Sequence, residues 1–134
     1  MEPDPARRSV WKRGERAARR YLRRRGYRTL GTNVRTAAGE ADLVMLAPDR
    51  RTVVLVEVKA RVVAPHAQNK AGDVAGVQRR PEASITEAKR RRLRGIAKVL
   101  ARRRVWQGRP IRIDVVAVEF VAGRPTIRHY EHAL

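Results

Sequence analysis

The sequence has no cysteine, which excludes disulfides and thiolate metal sites and fits a reducing, cytoplasmic setting. Its three histidines, His66, His129 and His132, lack the spacing of a zinc cluster. No apolar run approaches the ~18 residues that a membrane span needs, and the charged start from Glu2 onward offers no signal-peptide core. A soluble protein without a membrane partner is expected. Acid is scarce too: 13 Asp and Glu stand against 32 Lys and Arg, a net charge of +19 over 134 residues.

A field of that sign on so small a surface gathers polyanions and speeds their encounter, so nucleic acid is the expected partner. The bland alternative is compositional: 27 of the basic residues are Arg, a bias that coding composition produces without any ligand. An anionic membrane surface is a weaker rival, because no basic helix also carries an exposed bulky apolar face. The length fits one domain with a sizeable core.

Residues 1–8, with Pro3 and Pro5, read as a flexible N-terminal arm, and 9–134 as a single domain. From Ser9 the pattern is helical, with Trp11, Ala18 and Leu22 on one face, Val10 and Tyr21 beside it, and Gly26 as the stop. A strand follows from Tyr27 to Val34, interrupted by Gly31, and Gly39 in "TAAGE" turns the chain. Residues 40–47 and 53–60 form a hairpin around the four-residue loop "PDRR". Residues 61–82 lack periodicity and contain Pro65, Gly72, Gly76 and Pro81, a long connection of the kind that is often functional or mobile. Ser84 and Glu87 make a capping box that opens a helix to about Arg104, striped by Ile85, Leu93, Ile96, Ala97 and Leu100. "IRIDVVAVEFVAG" is a long strand, and "TIRHYE" returns as an edge strand.

The hairpin carries the chemistry. With Pro48 to Arg51 as its loop, Ala47 faces Thr52, and counting outward sets Asp42 opposite Glu57. Their Cβ atoms would lie about 5 Å apart, where two carboxylates repel by about 3 kcal/mol at an effective dielectric of ~20. A cation is therefore expected between them. Lys59 follows Glu57 by two residues and shares its face. Two carboxylates and an ammonium suit a hard divalent cation such as magnesium, and that combination suits phosphodiester hydrolysis.

The competing reading is an ordinary cross-strand ladder, with Glu40 opposite Lys59 and Glu57 held by a neighbouring arginine. Against it, Val54, Val56 and Val58 on one face and Val53 and Leu55 on the other imply a sheet covered on both sides, where a solvated charge ladder is out of place. Glu15 falls on the apolar face of the first helix, as a salt-bridge acid or a third carboxylate of the site. Lys89 falls on the stripe of the second helix, either pointing inward or snorkelling from the helix start. Asp114, alone within an apolar strand, reads as a buried hydrogen-bonded structural residue. Arg61 either meets a phosphate at the strand's mouth or is solvated, and His66 has no evident partner.

Five segments in order, "ERAARRYLRRRGYRTLGTNVR", "GEADLVML", "VVLVEVKAR", the helix with Lys89 and "IRIDVVAV", resemble the YraN-type proteins. That bacterial group is similar to the archaeal Holliday junction resolvases, within the restriction-endonuclease-like superfamily of signature PD...(D/E)XK. The likeness covers roughly residues 12 to 122. It implies an α/β fold, a three-layer sandwich with a central mixed sheet flanked by helices. It matches the metal-binding Asp to Asp42, the (D/E)XK pair to Glu57 and Lys59, a backbone carbonyl ligand to Val58, and the first-helix acid of the resolvases to Glu15. Ala41 stands where the superfamily name has Pro, which removes no reactive group.

Together these readings predict a magnesium- or manganese-dependent endonuclease acting on DNA, with branched or structured DNA as the form the likeness implies. Asp42, Glu57 and Val58 would hold the metal, Lys59 the attacking water, and Glu15 a further ligand or base. Arg61, Lys89, Arg23, Arg24 and Arg91 are the candidate contacts to the nucleic-acid backbone. The alternative is a nucleic-acid-binding module that cleaves slowly or not at all, since nothing in the sequence reads bases. A homodimer would suit the cutting of two strands, although no residue argues for one.

Overall fold

The computed structural model describes residues 4–64 and 85–134. The first helix, α1, spans Pro5–Arg24. It starts four residues before the periodic pattern, so residues 5–8, expected in an arm, are helical. The reason is local: Asp4 caps the helix by accepting the Ala6 N–H at 3.3 Å, and Pro5 sits in the first turn, where its missing N–H costs nothing. Neither feature has an apolar period. Ala18 and Leu22 are fully buried as expected, whereas Trp11 keeps 36% of its surface exposed.

Strand β1 (Arg28–Thr36) pairs antiparallel with β2 (Gly39–Leu46), and the register shifts between Thr29 and Gly31, where glycine had signalled an interruption. Thr36 closes the turn, donating its hydroxyl to the Gly39 carbonyl at 2.6 Å and accepting the Ala38 N–H. Gly39 itself has φ +139, a conformation that a side chain would strain. Strand β3 (Val53–Val62) completes the hairpin. Ala47 donates to the Thr52 carbonyl at 2.9 Å as the loop count predicts, and the Asp49 carboxylate ties the loop by accepting from Arg51 N, Thr52 N and the Thr52 hydroxyl.

Helix α2 spans Glu87–Ala101 and is capped by Thr86, whose hydroxyl accepts the Lys89 N–H at 3.2 Å. The start read from Ser84 and Glu87 is thereby moved: Thr86 takes the cap, and Ser84, like His66, Pro65, Gly72, Gly76 and Pro81, lies outside the described residues. A short 3-10 turn at Arg104–Trp106 leads to β4 (Ile111–Val121) and β5 (Arg124–Tyr130). The sheet order is β1-β2-β3-β4-β5, with β3 and β4 parallel and every other pair antiparallel. The parallel pair needs a crossover, and α2 lies within it.

Alternation along the strands gives the sheet two apolar faces. Val54, Val56 and Val58 of β3 and Val116, Val118 and Phe120 of β4 pack with Ala18 and Leu22 of α1. Val53, Leu55 and Ile113 pack instead with Leu93, Ile96 and Leu100 of α2. The result is a mixed five-stranded α/β sheet with helices on both faces. Each fully buried aliphatic contributes about 1.5–3 kcal/mol relative to exposure, so β3, flanked by β2, β4 and a helix on each face, is a firm mount for a side chain. No helix of the described residues is long and apolar enough to cross a membrane.

One buried polar network sits on the α1 side. Asp114, with no exposed surface, accepts two bonds from the Arg112 guanidinium at 2.8 Å each, meets His129 Nε2 at 2.7 Å, and accepts the His132 N–H at 3.2 Å. Arg112 also donates to the Tyr27 hydroxyl at 2.7 Å. Asp114 is thus the hydrogen-bonded structural acid the sequence predicts. Burial alone would raise its pKa, but the bonds from His129 and Arg112 outweigh burial and lower it.

Candidate active site

The site begins where the β2–β3 ladder ends. Backbone pairing runs from Leu46 with Val53 to Leu43 with Val56. Continued by one step, it sets Asp42 opposite Glu57, the relationship counted from the loop. At that step the ladder changes character: the Asp42 carboxylate accepts the Val58 backbone N–H at 2.9 Å. A side chain replaces the next backbone acceptor, and both acids are held against the sheet, Asp42 at 9% and Glu57 at 6% exposure.

Burial pushes the Asp42 carboxyl up to about 7, with the charge of Glu57 adding to the rise and the Val58 N–H opposing it. Two buried acids with one raised far above the ordinary range are a common arrangement at reactive sites. Glu57 has a cation from a side chain: the Lys89 ammonium of α2 lies 2.6 Å from Glu57 Oε1. Lys89 therefore points inward rather than snorkelling from the helix start, the other orientation its place on the stripe allows.

Lys59, two residues beyond Glu57, is partly buried, and its ammonium pKa is lowered by burial and then by the charge of Lys89, with Glu57 opposing. Glu15 reaches the same region from α1. It is 8% exposed, and burial raises its pKa while the Asn33 side chain lowers it and the charges of Glu40 and Glu57 raise it further. With its amide nitrogen turned toward the acids, Asn33 donates to Glu15 at 3.1 Å and to Glu40 at 3.2 Å. Asn33 escaped the sequence reading. Its positive φ of 49, a conformation in which asparagine is enriched, is visible only in the fold.

Gly14 explains how α1 brings Glu15 so close. A Cβ at this position would lie 2.3 Å from the Ala60 Cβ, so only glycine lets the helix rest on β3 beside the site. Asp42, Glu57, Lys59, Lys89 and Glu15 are thus assembled by four elements. Val58 enters through its N–H. Among the described residues no three acids or histidines stand as a ready-made metal cage.

The other predicted contacts lie elsewhere. Arg61 is bonded through Nε and Nη2 to Glu119 Oε2 at 2.9 and 2.6 Å, its register partner on β4. Arg91 is exposed on α2, two residues from Lys89 and so on another side of the helix. Arg23 and Arg24 are exposed on α1, where with Arg16, Arg19 and Arg20 they line a cleft of about 440 Å³. Arg19 and Arg23 also border a second cleft of about 740 Å³ with Tyr27, Arg28 and Thr29.

Fold and site together define the class: an α/β protein with a buried acid–lysine cluster at the parting of a central hairpin. Within that class the chain belongs to UPF0102, an uncharacterised protein family, which matches residues 14–118. The matched span contains every residue of the cluster, and the family is the YraN-type group the sequence resembles. Similar proteins bear the same family name. One from Renibacterium salmoninarum is 40% identical over 117 residues, covering 87% of both chains. Another from Bifidobacterium longum is 37% identical over 122 residues, covering 90% of this chain and 88% of its own. One from Anaeromyxobacter dehalogenans is 35% identical over 127 residues, covering 95% and 84%.

Proposed function

We propose that this protein is a metal-dependent nuclease that hydrolyses phosphodiester bonds in DNA, on a restriction-endonuclease-like fold akin to that of the archaeal Holliday junction resolvases. The observation that carries the reading is the pairing of buried Asp42 with buried Glu57, with Lys59 two residues on. Asp114 shows what a purely structural acid looks like in this sheet, with Arg112, His129 and the His132 N–H all directed at its carboxylate. Asp42 accepts from the Val58 N–H and Glu57 from the Lys89 ammonium, the two acids face one another, and Asp42 is driven up to about 7, first by burial and then by Glu57.

The donor set is all oxygen and suits magnesium or manganese, which one or two carboxylates hold while water fills the remaining positions. Asp42 and Glu57 would supply those carboxylates, with the Val58 carbonyl as a third protein ligand. When bound, such an ion makes hydroxide available near neutral pH and offsets charge on the phosphoryl group. Lys59, fixed by β3, positions the attacking water and steadies the developing negative charge. Glu15, a buried acid whose pKa burial raises above the ordinary carboxylate value, is the candidate to accept the water's proton.

The arginine face of α1 is the track for the nucleic-acid backbone. Arg16, Arg20, Arg23 and Arg24 are exposed and line one cleft, a concentration of charge that suits phosphates, so that the substrate is read by backbone and shape. Branched DNA fits a reader of that kind. One observation favours a second reading, a binding module without turnover: Glu57 already holds an internal ammonium from Lys89.

Incubating plasmid, single-stranded and four-way-junction DNA with magnesium or manganese separates the two. The nuclease reading expects cleavage that Glu57→Ala and Lys59→Ala abolish. Cleavage unchanged in both variants, or none in the wild type with salt-sensitive binding intact, removes it.

A further inference from the structure

Lys89 and Lys59 both serve the acid pair, yet they are mounted differently. Lys59 stands on β3, the strand that also carries Glu57 and is covered on both faces. Lys89 stands in the first turn of α2 and reaches Glu57 through its flexible stem, with 28% of its side chain exposed against 7% for Glu57. A lysine so placed exchanges its partner by rotating its own side chain, with no movement of helix or strand.

We infer that Lys89 is an internal counter-cation that a divalent metal ion displaces from Glu57. The inference rests on the reading of Asp42 and Glu57 as metal ligands. Without metal, Glu57 is a buried carboxylate that needs a positive partner, and the ammonium at 2.6 Å supplies it. A doubly charged ion on the same carboxylate would sit beside two ammonium groups in a poorly hydrated pocket. The Lys89 ammonium is the one in direct contact with the Glu57 carboxylate, at 2.6 Å, so it is the cation that leaves. Released toward solvent at the mouth of the site, it faces the approach of an anionic substrate. Glu57 thereby holds one cation or the other, and the metal-free site is kept closed to weakly bound ions.

Isothermal titration of the whole protein with manganese chloride tests the exchange without reference to activity. Lys89→Met, which keeps the length and loses the charge, is expected to bind manganese about tenfold more tightly than wild type, since no internal cation is displaced. Lys89→Arg retains a competitor and is expected to stay near wild type, while Glu57→Gln loses binding. Equal or weaker binding by Lys89→Met overturns the exchange and leaves the metal reading standing. Absence of binding in wild type and Lys89→Met alike overturns both. Should Lys89→Met fold poorly without metal, the rise in its melting temperature with manganese is the second measurement. The exchange predicts a larger rise than in wild type, and an equal or smaller one contradicts it.

Discussion

The Asp42 carboxylate accepts the Val58 N–H at 2.9 Å, so a side chain on β2 completes the ladder of β3 between Glu57 and Lys59. That bond holds Asp42 in place, while burial and then the charge of Glu57 raise its pKa and make the pair dependent on protonation. An acid with a folded pKa of about 7 against an ordinary 3.8 binds its proton more tightly in the folded state, so stability falls as pH rises from about 4 to about 7. Asp42→Asn keeps an oxygen for the Val58 N–H and removes the titration. In chelator-treated protein, melting temperature followed from pH 4 to 8 should decline in wild type relative to Asp42→Asn and level off above about 7. Parallel profiles would refute the assignment.

Gly14→Ala places a methyl group 2.3 Å from the Ala60 Cβ. Overpacking of this kind costs about 1–3 kcal/mol and lifts α1, with Glu15, away from the site. Restoring space with Ala60→Gly in the same chain should recover much of the loss. Denaturant unfolding of the two single variants and the pair measures the coupling, and simple additivity would show that the contact is not what sets the helix.

Asp114→Asn leaves Arg112 without its bidentate partner in a buried network, a loss expected at about 3–5 kcal/mol. Because the bonds from His129 and Arg112 outweigh burial and lower the Asp114 pKa, its contribution is present above the ordinary value of 3.8 and is lost as pH falls through the depressed folded value. Urea unfolding at pH 7 should show the full difference between wild type and variant. The gap should narrow in strong acid.

Arg20→Gln and Arg23→Gln remove two guanidinium groups from the α1 cleft without touching the acid cluster. If each meets one duplex phosphate, the slope of log K against log salt should shrink by about 0.9 per residue. Fluorescence anisotropy with a labelled duplex across a salt series measures it. An unchanged slope would place the backbone track elsewhere on the surface.

Much of this site was legible because it rests on local rules. The "PDRR" loop fixes where the hairpin folds, and a period of two then dictates that Asp42 faces Glu57 and that Lys59 shares its side. Glu15 betrayed itself as an acid on an apolar helix face. What stayed hidden depends on contacts between distant segments. The Lys89 ion pair needs the approach of α2 to β3, which no periodicity reports, and the pairing of Arg61 with Glu119 needs the parallel register. Gly14, within an otherwise helical run, has no sequence signature of the strand it lies against. The helix start at Pro5 depends on a cap from the single side chain of Asp4, on which apolar spacing is silent, and the second helix takes its cap from Thr86 rather than from the S-x-x-E pattern at Ser84.

The central claim is that Asp42 and Glu57 close on one divalent ion. The measurement that tests it most directly is anomalous diffraction from a crystal soaked in manganese chloride. The account predicts one peak bonded to a carboxylate oxygen of each acid, with the Lys89 ammonium withdrawn from Glu57. A peak bound to neither acid, or none while Lys89 remains on Glu57, would contradict it.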